Sequence, residues 1–564
     1  MRAEAIVRKG WWALALLVGS ALPVARADGP DGASPRAASA PAAKPAPDDP
    51  EDALRRGLDF ERKRNWAGAI RLYEDALERW PSRPDFGHRH LLCEIHYRLA
   101  RRYQDRSFRD VLLKLSRDKA VELFDEMVDR IESHYVDPVP IEPIVRRGLD
   151  NLEVALRDPN FLRVNALTGE ASRVTWLRQS LRLRRDALGV SSRAAARGEI
   201  LAACDLARQG LGISAAPVIL EFVYAACDVL DPYSSYLTPD KLDDMFSMID
   251  GNFVGLGVEL KGDDQGLRLV GVIKGGPAAE AGMKAGDKIV AVSGRSVKGL
   301  SLDEAAGMLQ GAEGTAVDVG VLSADGSSRT YRLFRRHVEV ASVAQAKIVE
   351  PVTGVGYVQL TGFQKTSTEE LDRAILGLQR QGMRFLVLDL RGNPGGLLNV
   401  AVDIADRFVD SGVIVSTRGR APGQTQVYRA RPDVVYTMPM AVLIDRESAS
   451  ASEILAGALK DLKRAIVLGD RSYGKGSVQS IYELKSVPAG LKLTTAQFYS
   501  PTSRPYSEQG VQPDFPVRMA AKPVAGRDDD PADSAPPFEV GNPADDVVLK
   551  LAIQKARQKA LTAR

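Results

Sequence analysis

The segment 447–476 limits the folds open to this chain more than any other. Serines and small residues (ESASASE, 447–453) lead into an apolar helical pattern from Ile454 to Leu459. A strand-like run follows, Ala465 to Leu468, and then a glycine-flanked lysine in SYGKG, 472–476. The order is strand, tight turn carrying serine, helix, strand, loop carrying lysine. Folds of the α/β class use such a strand-to-helix turn to present a side chain at the edge of a sheet. A second strand pattern, Phe385 to Leu390, runs into RGNPGG, 391–396. Its glycines permit close backbone approach and conformations closed to other residues.

Two side chains in this layer carry chemistry. Ser450 offers a hydroxyl, and Lys475 follows 25 residues later. A serine hydroxyl is a weak nucleophile at neutral pH until a neighbouring base takes its proton. A lysine serves as that base only where desolvation disfavours its charged form. Small residues around Ser450 and the apolar run before Lys475 supply such surroundings. Exposed N–H groups in the 391–396 turn could hold an oxyanion. Taken singly, each fragment reads as ordinary structure, with serines capping a helix and glycines making a turn. Their joint order points to acyl-transfer chemistry.

The set resembles the carboxy-terminal processing proteases, tail-specific serine peptidases of family S41 with a Ser–Lys dyad and an embedded PDZ domain. The motifs that carry the resemblance are DPYSSYLTP (231–239), DLRGNPGG (389–396), SASASEI (448–454), GKGSVQ (474–479) and GVQPD (510–514), in the family's order. The resemblance implies Ser450 as nucleophile and Lys475 as general base. Gln479 matches the residue that positions the lysine; four residues on, it shares a face with Lys475 if that segment is helical. Gly396 and Ala451 match the positions whose N–H groups form the oxyanion hole. Asp461 matches an acidic position near some family sites, which would give it an accessory role. Ser448 and Ser452 are the competing hydroxyls, and the spacing to Lys475 selects Ser450. The fold implied is α/β, with a crotonase/ClpP-like catalytic core over 338–518, an inserted PDZ domain and an all-helical N-terminal region.

Residues 251–336 read as the PDZ module, with short strands, glycine turns and a helix through Leu302, Ala305 and Leu309. Gly255, Leu256, Gly257 and Val258 are the candidate peptide-binding loop. Domains of this kind add a peptide as an extra strand and capture its C-terminal carboxylate with backbone N–H groups. The implied function is a hydrolase, a serine endopeptidase that cleaves proteins with free C-terminal tails after its PDZ domain reads them. The alternative is a catalytically silent PDZ scaffold, against which intact Ser450, Lys475 and Gln479 weigh. No cofactor is expected.

Arg2, Arg8 and Lys9 precede an apolar run from Trp11 to Val18, and Ala25-Arg26-Ala27 gives a cleavage pattern. Residues 1–27 therefore read as a signal peptide cut after Ala27, and the protein as exported to the periplasm or cell envelope. Residues 28–50 and 519–542 have the composition of linkers. The helical region spans 51–245. It includes a unit at about 53–81 resembling one tetratricopeptide repeat, either an adaptor surface or an ordinary hairpin. An Arg-rich insertion at about 155–215 includes Arg178, Arg182, Arg184 and Arg185 and reads as a solvated face or a docking surface for an acidic partner. A terminal helix over 543–564, with Val547, Leu549, Leu551 and Ile553 as apolar positions, docks on the core or makes a homodimer. The net charge of +3 gives no polyanion signature, so nucleic acid is not an expected partner. Three cysteines (Cys93, Cys204, Cys227) make no disulfide framework. Among five histidines, His88, His90 and His96 cluster without the ligand set of a metal site.

Overall fold

A computed structural model describes residues 14–17 and 49–562, apart from 168–169, 264–265, 299, 301, 324, 434 and 518–539. The expected cleavage site after Ala27 and nearly all of both expected linkers lie outside the described residues. The chain divides into two compact units. One comprises Met1–Ala21, Lys241–Ile481 and Thr494–Arg564; the other comprises Leu22–Asp240 and Tyr482–Leu493.

The second unit is helical. Helices Pro50–Arg62 and Trp66–Arg79 form a hairpin. A Cβ on Gly57 would stand 2.3 Å from the Tyr73 ring, so only glycine lets the two helices close this far. His96 stacks on Trp66 with centroids 4.3 Å apart, a packing role. Helix Ala215–Asp228 is buried along nearly its whole length among helices Arg117–His134, Ile141–Ala155 and Arg193–Leu211. It carries Glu221, fully buried and paired with Arg102 at 2.7 Å. The arginines of the 155–215 stretch close ion pairs inside this unit. Arg178 and Arg182 converge with Arg157 on one oxygen of Glu153, while Arg184 meets Glu199 and Arg185 meets Asp150. In the DPYSSY turn, Asp231 accepts bonds from the Tyr233 and Ser234 N–H groups and from the Ser234 hydroxyl.

Four sheets occur among the described residues, and the two six-stranded ones lie in the first unit. Strands Val258–Asp263, Gly266–Val272, Lys288–Val292, Ala316–Leu322 and Ser328–Phe334 form an antiparallel sheet in that order. Its own core includes Leu256, Leu269, Ile289, Leu309 and Val319. Strand Val258–Asp263 lies at the edge, beside helix Leu302–Leu309. The second sheet runs Val343–Glu350, Val355–Leu360, Phe385–Asp389, Met440–Ile444, Ala465–Gly469 and Phe515–Pro516. After one antiparallel pair its strands are parallel. Their continuous apolar runs suit a sheet covered on both faces.

The C-terminal helix, Val547–Thr562, docks on this sheet. Val548, Leu549, Ala552, Ile553 and Ala556 are buried against Tyr357, Val387 and Leu443. The expected apolar set was Val547, Leu549, Leu551 and Ile553. It had the two-residue period of a strand, and Val547 is exposed. The buried set repeats at helical spacing instead. An ion cluster locks the helix start. Arg391 bonds Asp389 and also Asp546, at 2.6 Å, and Tyr357 donates to Asp389 at 2.7 Å. All four side chains are buried.

Removing the cation from this cluster would leave two buried carboxylates facing each other, at a cost of about 3–5 kcal/mol. Arg391→Met is therefore expected to raise hydrogen exchange throughout Val547–Thr562 well before global unfolding. Unchanged exchange would show that the apolar face alone holds the helix.

Candidate active site

Strand Met440–Ile444 is wholly buried and ends in a tight turn before helix Ala451–Asp461. Ser450 is the N-cap of that helix and holds φ +62 and ψ −111, a conformation that costs a non-glycine residue of order 1–3 kcal/mol. The surroundings impose it. Asp445 accepts from the Gly392, Glu447 and Ser448 N–H groups, and the Ala449 N–H donates to the Asn393 carbonyl. Asn393 is itself buried, donating to the Leu360 carbonyl and accepting from the Gly395 N–H.

The three serines of the turn differ in their bonding. Ser448 Oγ donates to the Leu390 carbonyl at 2.8 Å, and Ser452 Oγ donates to the Asn393 carbonyl at 2.9 Å. Ser450 Oγ is buried with no hydrogen-bond partner among the described residues. Two hydroxyls hold the turn together, and the third makes no such bond among the described residues.

Lys475 is buried and follows the 472–474 loop, which is stitched to the serine turn by the Tyr473 N–H donating to the Ser448 carbonyl at 3.0 Å. Gln479 is fully buried. Its Nε2 donates to Ser477 and Thr494 hydroxyls, and its Oε1 is buried without a partner among the described residues. The Lys475–Gln479 interval is not helical. Gly474 at φ +93, and Gly476 pressed against the Ser507 backbone, break any helix, and Gln479 lies in strand Ser477–Glu483. The shared-face argument from a four-residue spacing therefore fails, although both residues belong to this part of the fold.

The RGNPGG turn abuts the serine. A Cβ on Gly395 would stand 2.9 Å from Ser450 Cβ and 3.0 Å from the Ala451 nitrogen; one on Gly396 would stand 2.3 Å from the Phe363 carbonyl oxygen. Only glycines allow this approach, and both have positive φ. Ala451 is the first helical residue, whose N–H has no partner within the helix. Asp461 is not brought to this cluster. It ends the helix that Ser450 begins, about 16 Å away along the axis, and pairs with Arg504 and Thr502. Gly255–Val258 lie elsewhere, at the entry to the six-stranded antiparallel sheet, where Gly257 has φ +74 and its carbonyl accepts from the Ile273 N–H.

Sequence reasoning assigned no role to Glu453. It is wholly buried at the third helical position, and both its oxygens are in use. One accepts from the Ser472 hydroxyl at 2.6 Å and the Gly474 N–H at 2.7 Å; the other accepts from the Ser450 N–H at 2.7 Å and the Lys475 N–H at 2.9 Å. This carboxylate ties the backbone of the serine to the backbone of the lysine. Burial pushes its pKa up to about 7, against the pull of those four donors. The available signal was the serine-x-x-glutamate spacing of a capping box. Among the described residues no cluster of His, Cys, Asp and Glu could hold a metal ion, and the three cysteines are buried and free.

A model of peptidase family S41 matches residues 354–517, and a PDZ domain model matches 268–322. The chain is 38% identical over 298 residues to a carboxy-terminal-processing protease of Bartonella bacilliformis, covering 51% of this chain and 67% of that protein. It is 35% identical over 293 residues to a carboxyl-terminal-processing protease of Synechocystis, covering 51% and 68%. Among solved structures it resembles a photosystem II D1 C-terminal processing protease, with 27% identity, a TM-score of 0.38, and coverage of 71% of this chain and 93% of that one.

Glu453→Gln places an amide N–H₂ against two donors, so it is expected to cost about 1–3 kcal/mol for each donor left unsatisfied and to lower kcat more than it alters KM. The folded pKa of about 7 lies above the ordinary 4.5, so the native state holds this proton more tightly. The group's contribution to stability then falls as pH rises through that window and is constant on either side. Chemical denaturation across pH 4–8 should show this slope in the wild type and a shallower one in Glu453→Gln; parallel curves would contradict it.

Proposed function

The chain belongs to peptidase family S41 and is a serine peptidase, and we propose that it is a Ser450–Lys475 endopeptidase that reads the C-terminal tails of its protein substrates. The observation that carries this reading is the bonding of the serine turn: of its three hydroxyls only that of Ser450 has no partner among the described residues, and Ser450 holds a strained conformation beside a two-glycine turn.

The neutral Lys475 amine takes the hydroxyl proton as Ser450 Oγ attacks the peptide carbonyl carbon. Burial favours the neutral form of any amine, and Lys475 is 1% exposed. The Gly396 and Ala451 N–H groups hold the oxyanion, each such donor contributing about 3–4 kcal/mol in serine enzymes. The tetrahedral intermediate collapses with loss of the amine, which takes the proton from the Lys475 ammonium. Water, deprotonated by Lys475, then hydrolyses the acyl ester and returns the proton to Ser450. Gln479 positions Lys475, its amide anchored by Ser477 and Thr494.

In the PDZ module the open edge of strand Val258–Asp263 takes the tail as a further strand, and the Gly255–Val258 loop takes its carboxylate. The edge position beside helix Leu302–Leu309 supports this assignment. We read the core as crotonase/ClpP-like, a reading supported by its parallel strands and the helix that starts at the nucleophile. The leader sequence supports export to the periplasm or cell envelope.

The test is digestion of an unfolded protein with and without a free apolar C-terminal tail. Wild type should cleave the tailed form faster, and Ser450→Ala and Lys475→Ala should each reduce cleavage at least a thousandfold (about 10³–10⁶ for such groups) with unchanged unfolding curves. Near-normal activity in Lys475→Ala would refute the dyad. Tail binding without cleavage in the wild type would favour a PDZ scaffold.

A further inference from the structure

The lysine loop is held from a second direction, by a segment that the chemistry above does not use. Residues 505–511 run alongside 472–476. The Glu508 N–H donates to the Gly474 carbonyl at 2.8 Å. The Val511 N–H donates to Ser472 Oγ at 2.6 Å, and the Ser472 N–H donates to the Val511 carbonyl at 3.2 Å. The approach needs glycine on both sides of the lysine. A Cβ on Gly474 would stand 3.0 Å from the Glu508 carbonyl carbon, and one on Gly476 would stand 2.3 Å from the Ser507 nitrogen. Glu508 itself holds φ +61, a conformation that a non-glycine residue keeps only where its surroundings over-determine it. The segment is a strap that fixes the backbone at both neighbours of Lys475.

One side chain anchors the strap. Tyr506 is buried, and its ring packs on Phe498 with centroids 5.2 Å apart. The Phe498 N–H in turn donates to the Gly476 carbonyl at 2.9 Å. The phenol end lies over Gly457 of helix Ala451–Asp461, where a Cβ would stand 2.1 Å from the hydroxyl oxygen. Gly457 is four residues on from Glu453, so the ring crosses the helix one turn from the carboxylate that ties Ser450 to Lys475. The Tyr506 hydroxyl makes no hydrogen bond among the described residues. The ring is therefore held by its fit to the notch at Gly457. The strap reaches Glu453 as well, because Ser472 Oγ accepts from Val511 and donates to that carboxylate at 2.6 Å.

We propose that Tyr506 is a positioning residue for the Ser450–Lys475 pair: seated against Phe498 and Gly457, it anchors the strap 505–511 and through it fixes the lysine backbone. The proposal rests on the peptidase reading above. The contacts lie on the lysine side of the site, so their loss falls on the chemical step. Misplacing a reacting group by about 1 Å costs about 10²-fold in rate. A cavity of about 310 Å³ adjoins the ring, with Gly457, Asp461, Arg504 and Tyr506 in its wall. A ring displaced by a methyl group at position 457 has room there. Alanine is also a better helix former than glycine, so Gly457→Ala moves the strap and leaves the helix folded.

The test is kcat and KM on a peptide that wild type cuts, for Gly457→Ala, Tyr506→Phe, the two combined, Tyr506→Leu and Ser450→Ala, each shown folded by circular dichroism. Gly457→Ala should lower kcat about 10²-fold at little change in KM. Tyr506→Leu, which keeps an apolar side chain without the reach of the ring, should do the same and serves where Gly457→Ala does not fold. Tyr506→Phe should stay near the wild-type rate. Combined with Gly457→Ala it should recover part of the loss, because the oxygen makes the nearest contact; such non-additivity marks residues that touch. Wild-type kcat in both Gly457→Ala and Tyr506→Leu overturns the strap and leaves the peptidase reading standing. So does a loss carried by KM, or one that Tyr506→Phe does not relieve. Cleavage by wild type no faster than by Ser450→Ala overturns both.

Discussion

The proposed site depends on one buried carboxylate. Glu453 accepts four hydrogen bonds, from the backbone of the serine, the backbone of the lysine, and two groups of the loop between them. A serine and a lysine 25 residues apart have no covalent reason to meet, and their side chains are too flexible to define a site by themselves. Fixing the two backbones to one rigid acceptor removes that freedom before substrate arrives, which is where effective molarity comes from. The cost is burial of a charge, visible as a pKa lifted to about 7. The ionised form, which accepts all four bonds, is the one that burial opposes. Function and stability pull in opposite directions at this residue.

The second constraint is steric. Ser450 at positive φ, with Gly395 and Gly396 in contact with the serine turn and with Phe363, brings two separate strand ends within van der Waals reach. Parallel strands Phe385–Asp389 and Met440–Ile444 are neighbours in the sheet, so their C-terminal ends emerge side by side. One carries the glycine turn and the other the serine. Ligand sites in such sheets lie outside the carboxyl ends of the strands. The sheet is secured on one face by the C-terminal helix, whose anchor Arg391 sits inside the same RGNPGG turn that approaches the serine. Docking of the tail and placement of the glycines share one loop.

Much of this was legible in the sequence because it is local. The runs FLVLD and AIVLG have the length and composition of buried strands, and both are strands. The glycines of 391–396 mark close approach, and close approach is found. What could not be read was non-local or depended on period. The segment after Lys475 is a strand, so the condition for a helix face shared with Gln479 is not met, and the match of Gln479 to the family's motif stands without it. The terminal helix buries a set offset from the one expected, because its apolar residues are dense enough to fit either period. Asp461 sits one helix length from the serine, a distance no short motif encodes. Glu453 was in plain view in ESASASE. Its four partners run from Ser450 to Lys475, 25 residues apart in the sequence, and a one-dimensional pattern does not show them. The arginines of 155–215 read as a solvated face or a docking surface; their side chains are 23–44% exposed and also close ion pairs within their own unit, which a one-dimensional pattern does not show.

The account stands on Ser450 being the hydroxyl that Lys475 activates. The most direct measurement is to react the protein with a fluorophosphonate and locate the adduct by peptide mass. The account predicts a single adduct on Ser450, suppressed in Lys475→Ala and unaffected by loss of the PDZ-loop residue Leu256→Ala. An adduct on Ser448 or Ser452, or full labelling of Ser450 without Lys475, would contradict it.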